Sequence, residues 1–423
     1  MLWIDITDPK YALFFHALLP HLRKLDSIII TTRKSAGYTE CADLLEKFGV
    51  EAICIGGNEG YGGDTLEGKF LARIKRQKEF VALFARVGKP RVFLTGASAE
   101  GAQVAFGLGI PVVHFSDTPM ASFEGGEGNI TLLSRLTLPL SSVIFYPFVL
   151  SEQVYRFFGI PRQNLIAYNF IDVALWLEDL HSEIWGQNVA KSTPKSTQKT
   201  NTKSSADSCA KSHTKSCPNS NTKSTPKSCP KSQANSKKAF LARLGFEDLS
   251  EKKPLILARE EEYKAHYVRG KYPLFYEILH ALARENLANI MIMPRYEKAY
   301  LQAEFGAYRC VRIAKKPLFV REFYPHIDML LGGGGTMNLE SSFLGIPTLS
   351  TRSLLLYHDK YLLDNALMRH AKSVNEALDI FLGFSKDSFA KQNNHRFFVP
   401  NGTHILQEID KIITQIKARF YTF

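Results

Sequence analysis

The chain has 423 residues, too many for one comfortable hydrophobic core, and its 45% hydrophobic and 22% charged residues are ordinary for a globular protein. Its formal charge of +12 suggests a polyanion-binding protein only until it is located: eleven lysines and one acid, Asp207, lie between Gln187 and Lys238, so that segment carries +10 and the rest of the chain +2. No stretch approaches the roughly 18 uncharged apolar residues of a membrane span, and the start MLWIDITDPK has acids where a signal peptide needs a basic run.

In chain order, Leu2–Ile6 reads as an apolar strand and Pro9–Lys24 as an amphipathic helix, with Asp8 as N-cap and Pro9 at the first helical position. A strand at Ser27–Thr31, a helix closing near Phe48–Gly49 and a strand at Val50–Ile55 follow. A glycine-rich loop leads to a helix over Thr65–Arg86. Then come a strand at Arg91–Leu94, a helix Ala99–Leu108 stopped by Gly109, a strand Pro111–Phe115 and a last strand Ser142–Phe145. Strands alternating with helices over short connections specify a parallel, doubly wound sheet.

From Lys191 to about Ser236 the sequence is a degenerate four-residue repeat (KSTP, KSTQ, KTNT), with prolines at 194, 218, 226 and 230. It has no aromatic residue and almost no aliphatic one, so its burial cannot offset its ordering entropy, and the expectation is a disordered insert over 187–238. Either it is a tolerated expansion without a role, or its lysines form a weak polybasic tether to anionic lipid. Nucleic acid as a partner would rest on this segment alone. Cys209, Cys217 and Cys229 lie in it without zinc-like spacing, and Cys41, Cys54 and Cys310 are isolated in core-like sequence. A reducing, cytoplasmic setting is expected, with peripheral contact at the inner membrane face as the variant.

After the insert the alternation restarts. Strands are expected at Pro254–Leu257, Ile290–Met293, Met329–Leu331 and Thr348–Ser350, helices at Leu274–Arg284 and Met337–Phe343, and a closing helix at Ile405–Ala418 that can pack on either half. The expected organisation is α/β: a first Rossmann-like domain over 1–164, a second over 165–400 interrupted by the insert, and a terminal helix in 401–423. Two such halves create a cleft at the carboxyl ends of their strands, where ligands bind in open α/β sheets.

The strongest local signal is LLGGGGTMNLESSFLGIP at 330–347. A strand runs into four glycines and then a helix ended by Gly345. Glycines admit an anion close to the backbone, and the free amides of a helix start can hold a diphosphate. Gly333, Gly334, Gly335 and Thr336 are the candidate binding residues, with Thr336 able to cap. Glu340 lies four residues on, on the same helix face, where a carboxylate can accept from both hydroxyls of a ribose. The plainer alternative is a tight turn followed by a surface glutamate.

This segment resembles the donor-binding signature of GT-B glycosyltransferases and UDP-N-acetylglucosamine 2-epimerases. More closely, the chain resembles the bacterial and archaeal domain-of-unknown-function family 354. The matching stretches are IDITDPKYALFF at 4–15, GASAEGAQVAFGLGIP at 96–111, SDTPMA at 116–121, YNFIDVALW at 168–176, AREEEYKAHY at 258–267, MPRYEK at 293–298 and GGGGTMNLESSFLGIPTLS at 332–350. Asp8, Tyr11 and Leu13 stand near positions where many relatives carry histidine, and the insert is foreign to the family. The resemblance implies a GT-B-like fold, two doubly wound Rossmann-like domains facing a cleft, and a UDP-sugar as substrate.

Other candidates cluster at strand ends. Ser98 and Glu100 open a helix after the strand at 91–94, where they can meet an acceptor or simply cap. Asp117 follows the strand at 111–115 and can act as general base or cap the turn Asp-Thr-Pro. Arg259 and Arg295 end two strands of the second half, where a guanidinium suits a diphosphate or an exposed ion pair. His266, after Arg259, is either catalytic or an ordinary half-buried histidine. Gly63–Phe70 nearly spells a P-loop, but Phe70 stands where magnesium needs a hydroxyl, and no Asp-x-Asp triplet offers a metal site. The expected function is metal-independent transfer of a sugar from a nucleotide to an unknown acceptor, with no tightly bound cofactor. A UDP-sugar 2-epimerase or hydrolase, and a non-catalytic sugar-nucleotide sensor, are the alternatives.

Overall fold

A computed structural model describes residues 1–34, 39–56, 65–123, 129–191, 237–246, 253–262, 272–295, 298–316, 318–400 and 402–421. Most of the insert and His266 lie outside the described residues.

The first half runs β1 (Leu2–Ile6), α1 (Pro9–Leu22), β2 (Ile28–Thr32), α2 (Glu40–Lys47), β3 (Ile53–Cys54), α3 (Leu66–Val87), β4 (Val92–Thr95), α4 (Ala99–Gly107), β5 (Val112–Phe115), α5 (Leu132–Thr137), β6 (Val143–Pro147), α6 (Glu152–Arg156) and β7 (Leu165–Tyr168). Its seven strands are ordered β3-β2-β1-β4-β5-β6-β7 and pair in parallel. Parallel strands are covered on both faces, which is why β1 is buried at every position. Leu2, Ile4 and Ile6 join the core that holds α1, while Trp3 packs with Phe80 and Phe84 of α3 on the opposite face. Because β7 pairs with β6, this sheet continues to Tyr168, past the boundary expected at 164.

Helix α7 (Ala174–Lys191) leaves the first half, and α8 (Lys237–Arg243) enters the second, so both ends of the 187–238 segment are helical. There follow β8 (Leu255–Arg259), α9 (Leu274–Arg284), β9 (Asn289–Met293), α10 (Lys298–Phe305), β10 (Val311–Ile313), α11 (Val320–Phe323), β11 (Met329–Gly332), α12 (Gly335–Phe343), β12 (Thr348–Ser350), α13 (Tyr357–Asp364), β13 (Arg369–His370), α14 (Val374–Lys386), α15 (His395–Phe398) and α16 (Ile405–Phe420). The second sheet has the order β10-β9-β8-β11-β12-β13. Two α/β halves thus carry parallel sheets of the same winding.

The halves share a core. Residues of α1, α7, α12 and α16 belong to one continuous apolar cluster. The closing helix α16 packs on α1, and Tyr421 just beyond it donates to Asp26 at 2.9 Å. Among the described residues no helix is long and apolar enough to cross a membrane.

Candidate functional site

The glycine loop sits where β11 meets α12, at the carboxyl end of the second sheet. Packing demands its glycines: a Cβ on Gly332 would lie 1.8 Å from Asn338 Oδ1, and one on Gly333 would lie 2.5 Å from the backbone nitrogen of Glu261. Gly334 is the N-cap and makes no side-chain cap, so among the described residues no side chain caps the first amides of α12. Thr336, expected to cap, is instead the second helical residue, because the helix opens two residues earlier than the sequence pattern indicated.

Two guanidinium groups flank this helix start. A Cβ on Gly335 would meet Arg352 Nη1 at 3.0 Å, and one on Gly334 would meet Arg295 Nη1 at 3.8 Å. Arg352 is buried and paired with buried Asp359 of α13, while its Nε has no hydrogen-bond partner among the described residues. Arg295 Nη2 donates to Glu262 at 2.8 Å. Arg259 is turned to other work: it donates to the carbonyl of Pro294 at 2.5 Å and to Glu40 of the first half at 3.3 Å, bridging the cleft. Burial, and then the nearby charge of Arg295, lower its pKa.

Glu340 lies one turn deeper in α12, buried. Trp176 Nε1 of α7 donates to one oxygen at 2.9 Å and Tyr324 Oη to the other at 2.8 Å. Burial pushes its pKa up to about 7 against those two hydrogen bonds. The folded state therefore binds this proton more tightly than the unfolded chain, whose glutamate titrates near 4.3. Stability falls as pH rises between those values, by roughly 4 kcal/mol in all at about 1.4 kcal/mol per unit. Glu340→Gln is expected to abolish that slope. Relative to the parent it should gain stability at about pH 8 and lose or hold it at about pH 5, read by denaturant titration at both. Parallel slopes for the two proteins would mean that Glu340 is charged throughout.

Across the cleft stand the carboxyl ends of the first sheet. Lys10, in the first turn of α1, pairs with both Asp117 after β5 and, at 2.5 Å, Asp172 after β7. Burial disfavours the lysine's charge, but the two carboxylates outweigh it and hold its pKa above the usual range. Burial likewise opposes the charge of Asp117, and Lys10 overcomes it, holding that carboxyl at about 2. Asp117 is thus a locked anion near neutrality and a weak proton acceptor. Tyr11 donates to the Phe115 carbonyl at 3.0 Å, its ring filling the space a Cβ on Gly96 would need, and Tyr168 donates to Asp172 at 2.5 Å. Asp8 caps α1; burial first, and then Glu262 of the opposite half, raise its pKa to about 6.

Glu100 and Ser98 belong to a different set. Ser98 caps α4, accepting from Gly101 N at 3.0 Å and donating to buried Asp5, which Arg76 holds with two bonds at 2.8 and 2.6 Å. Glu100 is ringed by Arg73 at 3.3 Å, Arg76 at 3.5 Å and Arg33 at 3.9 Å. These buried pairs lock α3 and α4 to the strand ends. The near-P-loop resolves similarly: Thr65 is the N-cap of α3, accepting from Gly68 N at 3.0 Å.

The structure therefore brings together Gly333, Gly334, Gly335, Arg295 and Glu340, and places Arg259 at the end of β8 and Asp117 after β5, one in each half. Sequence reasoning passed over Lys10, Asp172, Arg352 and His358. Arg352 carries the same signal as Arg259 and Arg295, a guanidinium just past a strand; the others carry none. Among the described residues no group of three or more His, Cys, Asp or Glu side chains is arranged to hold a metal ion.

Two parallel-sheet halves facing a cleft, with a glycine loop opening a helix on one wall, define a GT-B-like α/β fold. The solved structures it is similar to include UDP-GlcNAc 2-epimerase from Neisseria meningitidis bound to UDP-GlcNAc, at TM-score 0.67 and 13% identity over 99% of this chain and 100% of that one. They also include UDP-GlcNAc 2-epimerase of Methanocaldococcus jannaschii in complex with UDP-GlcNAc and UDP, at 0.63 and 13% over 99% of each. A glycosyltransferase from Rickettsia africae matches at 0.53 and 10% over 100% of this chain and 99% of that one. At such identities the likeness is one of fold. The chain belongs to the family described as proteins of unknown function, DUF354, whose pattern matches residues 1–175 and 232–409 and leaves most of the lysine-rich segment unmatched. An uncharacterized protein of Methanocaldococcus jannaschii is 26% identical over 380 residues, covering 89% of each chain.

Proposed function

We propose that this protein binds a nucleoside-diphosphate sugar, with uridine as the base, in the cleft between its halves. In this reading it breaks the bond between the sugar C1 and the diphosphate oxygen and delivers the sugar to an acceptor hydroxyl. The observation that carries the reading is the uncapped start of α12 set between Arg295 and Arg352, with Glu340 one turn deeper. Free amides and two permanent cations suit the charge that grows on a departing diphosphate, so no metal is required. Glu340 would take the ribose hydroxyls, and the Lys10 cluster would face the sugar. The neighbours named for UDP-GlcNAc and UDP agree with this assignment.

The burial of Lys10 and Asp172 favours a second reading, epimerisation at a sugar carbon, since a shielded charged cluster suits proton transfer without an acceptor. Calorimetry with UDP, with and without a chelator, tests the binding itself. Ribose hydroxyls donating to Glu340 would lower its pKa, so UDP should displace a proton near pH 7, seen as heat that varies with the buffer. Absence of UDP binding would refute the proposal. UDP-GlcNAc in deuterated water then separates the readings: deuterium at C2 means epimerisation, and released UDP without exchange means transfer.

A further inference from the structure

We infer that His358 is the catalytic residue that moves the proton at the bound sugar, an assignment that rests on the nucleotide-sugar reading of the cleft. His358 is the second residue of α13, and that helix is tied to both walls. Arg352 pairs with Asp359 on the glycine-loop side. On the other side Tyr357 packs against the cluster of Met120 and Tyr155, and the Tyr361 ring meets Phe148 at 5.8 Å. His358 therefore lies between the anion-binding helix start and the charged end of the first sheet. It is 5% exposed, and its Nε2 is buried with no hydrogen-bond partner among the described residues. A buried ring nitrogen without a partner is costly unless a ligand completes it.

The groups acting on it are Asp117 after β5, Lys10 of α1, Asp172 after β7 and Asp359 of its own helix. Burial lowers its pKa, so the ring is neutral near neutrality, while Asp117 and Lys10 are locked in their charged forms. Of the other cleft groups that titrate nearby, Glu340 is assigned to the ribose and Asp8 caps α1. His114 of β5 also leaves a ring nitrogen, Nδ1, without a partner among the described residues, but its Nε2 meets the Gly96 carbonyl at 3.0 Å inside the first sheet, whereas His358 stands on the helix tied to both walls. In the step, His358 Nε2 takes the proton of the attacking hydroxyl as its oxygen bonds to C1. The bond from C1 to the diphosphate oxygen breaks, and its electron pair leaves on UDP. The imidazolium so formed is stabilised by the carboxylates of Asp117 and Asp172.

The test uses the full chain, UDP-GlcNAc as probe and water as the attacking hydroxyl. His358→Asn and His358→Gln should bind UDP-GlcNAc within about threefold of the parent and release UDP roughly 10²–10⁴-fold more slowly. The acid limb of the parent's pH–rate profile, lying below the usual histidine range, should vanish in both. The His358 ring resonances, identified by their loss in the variants, should shift with UDP-GlcNAc beyond any shift with UDP. Release rates within threefold of the parent, an unchanged acid limb, ring resonances indifferent to the sugar, or a parent that binds UDP-GlcNAc without releasing UDP would each overturn the inference and leave the binding reading standing. Failure of the parent to bind either UDP or UDP-GlcNAc would instead remove the reading on which it rests.

Discussion

Lys10→Met is expected to lower the stability of the folded chain by about 3–5 kcal/mol at neutral pH, because it leaves buried Asp172 and half-buried Asp117 facing each other without their cation. The pH dependence should change sign as well. In the parent, Lys10 holds Asp117 at about 2, below its unfolded value near 3.9. That contribution is complete above the unfolded value and is lost as pH falls through the folded one. Without the lysine, burial raises the carboxyl pKa, the folded state takes up a proton first, and the variant gains stability as pH falls from about 7 towards about 4. Denaturant titrations at both ends of that window read opposite slopes. Adding Asp117→Asn and Asp172→Asn should recover most of the loss, since the buried charges disappear. A loss under about 1 kcal/mol, with parallel slopes, would show that water already solvates the cluster.

Arg352→Leu should act on stability and ligand binding at once. Asp359 would be left buried and unpaired, again about 3–5 kcal/mol, and the helix start would lose one of its two cations, weakening UDP by about one to two decades. Combining Arg352→Leu with Asp359→Asn separates the two. The neutral amide removes the stranded charge and should restore much of the melting temperature, while UDP affinity stays low. Calorimetry of UDP against the parent and both variants, each confirmed folded, makes the comparison. If affinity returned with stability in the double variant, Arg352 would be a brace for α13 and the diphosphate would have to be held by Arg295 and the amides alone.

The alternation of strands and helices, the glycine loop and the two-domain plan were legible in the chain because they depend on neighbours a few residues apart. Apolar runs mark buried parallel strands, Asp8, Thr65 and Ser98 mark helix starts, and Gly109 and Gly345 mark helix ends through their positive φ. The short strands β7, β10 and β13 escaped, since runs of two to four residues carry too little periodicity, and helices α5 to α8, α10, α11 and α13 to α15 were not read from the sequence either. What tertiary structure alone decided is which charges meet. Trp176 and Glu340 are 164 residues apart, Arg259 and Glu40 are 219 apart, and Lys10 reaches Asp117 and Asp172 only after β1, β5 and β7 lie in one sheet. Lys10 reads locally as one more polar residue on an amphipathic helix, and His358 as one more histidine. Their burial, and with it their chemistry, comes from two halves closing on each other, because desolvation and ion pairing depend on distance in space and not on spacing along the chain.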